Sequence, residues 1–285
     1  MSRPAIPPFV QARLGPAPVD LTGAGSCHVM KGHGLVAKAG PPEVIERERY
    51  ALEDLGPQFP LVVAPLVDAG DGWLLFDDVD DTDVPWAPSD VGDALSDLAN
   101  LHAAFVAAPA LADPRLVHPL GDGLDGALAY ARRMAGLDSI LPGAAALAAD
   151  PSPLVDALHE QPDTLLHGDP WPLNVLRPEP GRRVWLDWAG VAAGPAALDV
   201  ASWLDQSPWV LDGPDHPSVA QQLDGYVDAA AIDDVPAFTH AVDAATLLWF
   251  LTIDLPRLPV VRHAPDVVER LLAPRRAALA RLTLG

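Results

Sequence analysis

The strongest constraint on how this chain can fold is a change of texture near residue 79. Before it, short apolar stretches at 19–22, 27–31 and 35–39 alternate with Gly23-Ala24-Gly25-Ser26 and Gly32-His33-Gly34. Glycine reaches the positive-φ conformations that tight hairpins require, so the pattern predicts an antiparallel meander. Pro41 and Pro42 then open a predicted helix over 43–55, since proline fits a first turn and an early glutamate suits the helix dipole. Two further strands are predicted at 61–67 and 72–78. After Val79 comes the polar connector Asp80-Asp81-Thr82-Asp83, and then long alanine- and leucine-rich stretches. Between 90 and 107, Val91, Leu95, Leu98, His102 and Phe105 recur at helical spacing and predict one buried stripe. Helices are also predicted near 123–136, 142–149, 153–160, 195–206, 216–230, 235–254 and 265–282, interrupted by short strands at 164–166, 173–176 and 184–186. The expected architecture is α+β with two lobes, residues 1–79 and 80–285.

Charge and cysteine content exclude several classes of function. Acidic residues number 39 against 18 basic ones, a net charge of −21, so nucleic acid and anionic membranes would be repelled and a cationic ligand attracted. Cys27 is the only cysteine, which rules out an intrachain disulfide and a thiolate metal cluster. Prolines 4, 7 and 8 break the first ten residues, so no signal sequence is expected there. The longest strongly apolar run, 244–253, is about half of the roughly 20 residues that cross a bilayer. A cytoplasmic protein is the expectation. Lysine occurs only as Lys31 and Lys38 in a chain that otherwise writes arginine, which draws attention to both.

The chemistry concentrates between residues 165 and 201. A short apolar strand runs into His167-Gly168-Asp169-Pro170-Trp171-Pro172-Leu173-Asn174, and a second one, Val184-Trp185-Leu186, ends at Asp187-Trp188. One carboxylate able to orient a hydroxyl and take its proton, with an amide oxygen and a second carboxylate as hard ligands for Mg²⁺, is the set that phosphoryl transfer needs. Asp169 and Asn174 alone could form an ordinary turn, and Asp187 alone could end a strand. Those readings leave their joint strand-loop-strand order unexplained. A His-x-Asp metal hydrolase site at His167 and Asp169 would need further histidines at ordered spacing, and the nine histidines are scattered.

His167-Gly168-Asp169 with Asn174, Leu186-Asp187-Trp188, Gly194-Pro195 and Asp199-Val200-Ala201 together resemble the aminoglycoside phosphotransferase family, small-molecule kinases with the bilobal protein-kinase-like fold. The resemblance implies an ATP- or GTP-dependent, Mg²⁺-requiring kinase. It assigns Asp169 as catalytic base, Asn174 and Asp187 as metal ligands, Asp199 as a structural carboxylate and His167 as a brace. Such a kinase also needs a strand lysine on the nucleotide phosphates and a helix glutamate to hold that lysine. Lys38 ends the strand before the first helix, where Val44, Glu48, Leu52 and Leu55 share one face. A carboxylate on that face requires a cation, so Glu48 is expected to meet Lys38, with Glu46 as the alternative if the helix phase slips.

Two further nucleotide contacts are implied. Gly25 and Ser26, one strand ahead of Lys38, sit in a turn whose backbone N–H groups could approach phosphate oxygens, although a plain hairpin turn predicts the same residues. Phe76, Asp77, Asp78 and Val79 end the small lobe where related kinases read the base, with Phe76 as pocket floor and 77–79 offering main-chain donors and acceptors. For a hydroxylated substrate, cationic or neutral, the carboxyl-terminal helices offer Asp205 and Asp254 as carboxylates, with Trp203, Trp209 and Trp249 as apolar walls, Trp249 being read as a core residue. The acceptor is then an aminoglycoside or other antibiotic, or else a normal metabolite such as a sugar, amino alcohol or hydroxy amino acid. A catalytically inactive nucleotide-binding module would normally have lost one of Lys38, Asp169, Asn174 or Asp187, and all four are present.

Overall fold

The computed structural model describes residues 4–23, 25–80, 85–121, 123–211, 215–261 and 264–284. Ala24 of the glycine turn and Asp81, Thr82 and Asp83 of the connector lie outside them.

The amino-terminal part is a five-stranded antiparallel sheet in the order β1-β2-β3-β5-β4. Its strands are β1 (Val19–Asp20), β2 (His28–Gly32), β3 (Leu35–Ala39), β4 (Leu66–Gly70) and β5 (Trp73–Asp77). A short helix α1 (Pro8–Arg13) lies on one face, where Ile6, Val10 and Leu14 pack with Ala37, Ala39, Trp73 and Leu75. Helix α2 (Pro42–Tyr50), continued by a π-helical turn at Ala51–Leu55, covers the other face with Ile45 against Leu74 and Phe76. Ile45, not Val44, is the deeply buried residue at the start of α2, so the helix is rotated by one position from the predicted phase. Glu48 remains on the buried face.

The predicted strand at 61–67 falls later, at Leu66–Gly70. Pro60 and Pro65 lack the N–H groups that a continuous ladder would use, and the residues between them find a different partner. Trp185 N–H donates to the Val62 carbonyl (2.8 Å) and Ala64 N–H to the Trp185 carbonyl (3.4 Å), joining this segment to the second half of the chain.

That second half is mostly helical. It comprises α3 (Pro88–Phe105), α4 (Leu124–Arg133), α5 (Leu137–Ile140), α6 (Ala144–Ala149) and α7 (Ser152–His159), then α8 (Ala197–Gln206), α9 (Val219–Ala230), α10 (Val235–Trp249), α11 (Leu255–Val261) and α12 (Pro265–Leu284). Two small antiparallel pairs sit among the helices: β6 (Asp163–Leu166) with β9 (Ala192–Pro195), and β7 (Val175–Glu179) with β8 (Arg182–Trp185). The stripe Val91, Leu95, Leu98, His102 and Phe105 on α3 is entirely buried.

The stretch Val235–Leu258 is longer than the apolar run first singled out, and by length and composition it could cross a membrane. About two thirds of it (67%) is buried inside the fold, with α10 packed against α7, α8 and α12, so it serves as the central core helix. At its end Arg275 of α12 is fully buried and pairs with Asp205 and with Asp254 (2.7 Å). Both carboxylates named as substrate candidates are therefore committed to an internal cation. Burial pushes the Asp254 pKa up to about 6, opposed by Arg275.

Candidate functional site

Lys38 ends β3 pointing to the α2 side, and α2 places Glu48 directly opposite it. Lys38 Nζ lies 2.6 Å from a Glu48 oxygen and 2.6 Å from Asp187 Oδ1. Burial opposes the ammonium, yet the two carboxylates outweigh it and hold the Lys38 pKa above its ordinary value. Glu48 also accepts the main-chain N–H of Trp188. The neighbouring Arg47 donates to the Ala189 carbonyl (3.1 Å) and the Arg115 carbonyl (3.3 Å). Helix α2 thus grips the turn that follows Asp187, and the alternative Glu46 pairs instead with Arg49 (2.6 Å).

Asp187 has left-handed backbone angles (φ 57, ψ 60), rare outside glycine. This sharp turn lets β8 pass at once into the 3₁₀ turn Trp188–Gly190, leaving the Asp187 carboxylate open to the cleft. Burial works against its charge, but Lys38 lowers the pKa below the ordinary value.

The loop after β6 carries the facing groups. The Asn174 amide donates to the Asp169 carbonyl (3.0 Å) and to Asp169 Oδ2 (3.3 Å), which ties the two side chains together. Asp169 is exposed on this loop, and the protein crowding its inner side raises its pKa, Asp187 adding to the effect and His167 opposing it. His167 is fully buried and its pKa is depressed by burial. Its Nε2–H donates to the Leu186 carbonyl (2.9 Å) and Nδ1 accepts the Asp169 N–H (3.3 Å), so the ring links the Asp169 loop to the strand before Asp187 through a neutral imidazole. Asp199, in the first turn of α8, accepts the N–H groups of His167 (2.6 Å) and Gly168 (3.0 Å).

Two parts of this support were not read from sequence. His102 bridges Asp199 (3.2 Å) and the Tyr226 hydroxyl (2.7 Å), whereas the periodicity of α3 marked it only as a stripe residue. Gly168 has φ +80, and a Cβ there would overlap the Gly190 carbonyl, so the Asp169 loop and the Asp187 turn meet backbone to backbone. No local pattern announces Gly190.

A cleft of about 380 Å³ opens between the sheet and this loop pair. Leu21, Val29 and Val36 form one wall, Leu173 and Leu176 the opposite one, and Phe76 lies at the back. Lys38, Asn174 and Asp187 stand at one end and Asp77, Asp78 and Val79 at the other. Of the three linker N–H groups, Asp77 donates to the Pro65 carbonyl (3.0 Å) and Asp78 to the Gly34 carbonyl (2.9 Å). Two of the three N–H groups of this donor and acceptor segment are thus used inside the sheet. The Asp78 carboxylate pairs with Lys31 (2.7 Å). Gly25 and Ser26 are not among the residues lining the cleft; they stand exposed in the turn before β2, and a Cβ on Gly25 would meet open space.

The oxygen donors fit a hard divalent cation. Asn174 is oriented by its bonds to Asp169, and Asp187 is ionised beside it. Among the described residues no group of three or more His, Cys, Asp or Glu side chains is arranged to hold a metal, so such an ion needs further ligands from phosphate and water.

A sequence model of the phosphotransferase enzyme family matches residues 35–238. No curated protein matches the chain. Among solved structures, an aminoglycoside phosphotransferase from Alicyclobacillus acidocaldarius is similar at TM-score 0.60 and 18% identity, covering 100% of this chain and 97% of that one. A choline/ethanolamine kinase family protein from Mesorhizobium loti gives TM-score 0.60 and 14% identity over 98% of this chain and 90% of that one. An amicoumacin kinase in complex with AMP-PNP and Ca²⁺ gives TM-score 0.64 and 14% identity over 96% and 92%. These neighbours share the protein-kinase-like fold seen here. The family match spans most of the chain and includes Lys38, Glu48, Asp169, Asn174 and Asp187, and the chain accordingly belongs to the phosphotransferase enzyme family and is a small-molecule phosphotransferase.

Proposed function

We propose that the protein transfers the γ-phosphoryl group of ATP, with Mg²⁺, to a hydroxyl group of a small molecule, and that Asp169 is the catalytic base. The observation that carries this reading is the position of Lys38 between Glu48 and Asp187, with Asn174 in the same cleft and hydrogen-bonded to Asp169. Lys38, held charged and immobile, is suited to the α- and β-phosphates. Asn174 and Asp187 would hold the cation, which when bound neutralises phosphate charge. The base would lie against Phe76, with the Val79 N–H as the remaining linker donor.

In the transfer step the acceptor oxygen bonds to the γ-phosphorus, the bond from that phosphorus to the βγ-bridging oxygen breaks, and ADP leaves with that oxygen. The acceptor proton passes to Asp169. His167 and Asp199 act by positioning this loop, so most of the catalysis is orientation and electrostatics. AMP-PNP and Ca²⁺ in the amicoumacin kinase complex support a nucleotide and a divalent ion at such a site.

The test is acceptor-dependent ADP release by the purified protein against aminoglycosides, peptide antibiotics, sugars and amino alcohols, with phosphorylated product identified by mass spectrometry. A hit lost in Asp169→Asn supports the reading and separates an antibiotic-modifying role from a metabolic one. Turnover that survives Asp169→Asn would overturn the role of Asp169.

A further inference from the structure

A second cavity, of about 230 Å³, adjoins the Asp169 loop through Leu166 and Gly168, apart from the nucleotide cleft. Its walls come from α4 (Leu124, Ala127), α8 (Leu198) and one face of α10 with the π-helical turn after it (Leu248, Trp249, Ile253). Trp249, read from sequence as a core residue, is only half-buried and faces this space.

The polar groups in the wall are already engaged. Among the described residues of the wall Asp199 is the one ionisable group, and its two oxygens accept Gly168 N–H on one side and His167 N–H and His102 on the other. The Thr252 hydroxyl donates to the Leu248 carbonyl (2.8 Å). Of the other acidic residues beside these walls, Asp125 pairs with Arg132 (3.0 Å), Asp169 accepts from the Asn174 amide, and Asp205 and Asp254 are held by Arg275. An ammonium group placed here would lose its hydration without gaining a carboxylate, an unfavourable exchange however negative the protein is overall. An apolar group would gain by leaving water, and the cavity is smaller than a typical whole-ligand pocket, so it suits one part of a molecule.

We infer that this cavity receives the uncharged, apolar part of the acceptor, so that the substrate is a neutral hydroxylated compound with an apolar body and not a polycationic amino sugar. The inference rests on the kinase reading above, because that reading makes the space beside Asp169 the acceptor side.

The test uses ligand-observed NMR with 2-phenylethanol and cyclohexylmethanol as neutral probes and 2-deoxystreptamine as the cationic polyol, each on the Mg·ATP-loaded protein. The neutral probes are expected to bind at least tenfold more tightly than 2-deoxystreptamine. Ala127→Trp, which fills the cavity from an exposed helix position, should weaken the neutral probes at least tenfold. Thr252→Asp adds a free carboxylate to the same wall and should reverse the order of preference; it serves if the tryptophan variant does not fold. Tighter binding of 2-deoxystreptamine to the unmodified protein, no binding of the neutral probes, or neutral-probe binding untouched by both variants would overturn the inference. ATP affinity, measured in parallel on Lys38→Ala, reports on the kinase reading separately: its failure there leaves the cavity measurement intact.

Discussion

Replacing Lys38 with methionine removes the only cation among the described residues that touches Glu48, and the consequence can be worked from the geometry. The Lys38 side chain is 10% exposed and that of Glu48 is 2% exposed, so the pair is close to fully buried. Breaking such a pair by deleting one partner costs about 3–5 kcal/mol. The Trp188 N–H still serves Glu48, and the cleft admits water near the vacated ammonium, so about 2–4 kcal/mol is expected here. In a protein of this size that lowers Tm by roughly 5–15 °C. Glu48→Gln should cost less, about 1 kcal/mol, because Lys38 keeps Asp187 and no charge is stranded. The Lys38→Met, Glu48→Leu double variant should lose much less stability than the two singles sum to, while remaining inactive. The sign of the pH dependence follows from burial raising the Glu48 pKa once the lysine is gone. A raised carboxylate pKa means the folded state binds the proton more tightly than the unfolded chain. The Lys38→Met penalty is therefore full above that raised value and disappears as pH falls below the ordinary glutamate value of about 4.3. Thermal and urea unfolding at pH 7 and pH 4 measure this directly. Equal destabilisation by Lys38→Met and Glu48→Gln, or a double variant whose losses simply add, would refute the reasoning.

Asp169→Asn should lower turnover by about 10²–10⁴ while ATP affinity by calorimetry stays within a few-fold, since the carboxylate serves the acceptor. Because the Asp169 pKa is raised and the base must be ionised, kcat should fall on the acid side with an apparent pKa above the usual aspartate range; a limb at or below that range would count against the assignment. Asp187→Ala and Asn174→Ala should each raise the Mg²⁺ concentration for half-maximal activity, aspartate more, and unchanged metal dependence in both would remove them as ligands. Arg275→Met strands Asp205 and Asp254 under α12 and should destabilise by about 3–5 kcal/mol in urea unfolding, with a change below about 1 kcal/mol showing that the cluster is already hydrated.

What could be read from the sequence was whatever lies within one element or between adjacent ones. The strand 35–39, the α3 stripe and the strand-loop-strand around Asp169 and Asp187 were legible because period, glycine and charge act locally. Glu48 was legible for a different reason: a carboxylate on an apolar face demands a partner, and lysine is scarce in this chain. The one-position rotation of α2 was not, since Val44 and Ile45 are equally apolar and only packing on Leu74 and Phe76 chooses between them. Asp205 and Asp254 resembled substrate carboxylates because Arg275 is at least 21 residues away along the chain and nothing local signals the pairing. The commitment of the Asp77 and Asp78 N–H groups depends on Pro65 and Gly34, again a matter of tertiary placement.

The main-chain bonds between 62–64 and Trp185 bear on how the two halves of the molecule are held together. They weld one edge of the small sheet to the β-hairpin that ends in Asp187, close to the covalent crossing after Val79. The grip of α2 on the Asp187 turn is a further link, so the small sheet is held to the second half of the chain both before β4 and through the helix after β3. Phe76 and Leu176 pack in the same cluster as Ala64 and Val184, beside the first of these links. The turn at Gly25 and Ser26 lies between β1 and β2, at the other edge of the sheet from β4. The glycine turn therefore stands on the edge of the sheet farthest from that main-chain link, and Phe76, on β5, next to the strand that the link precedes.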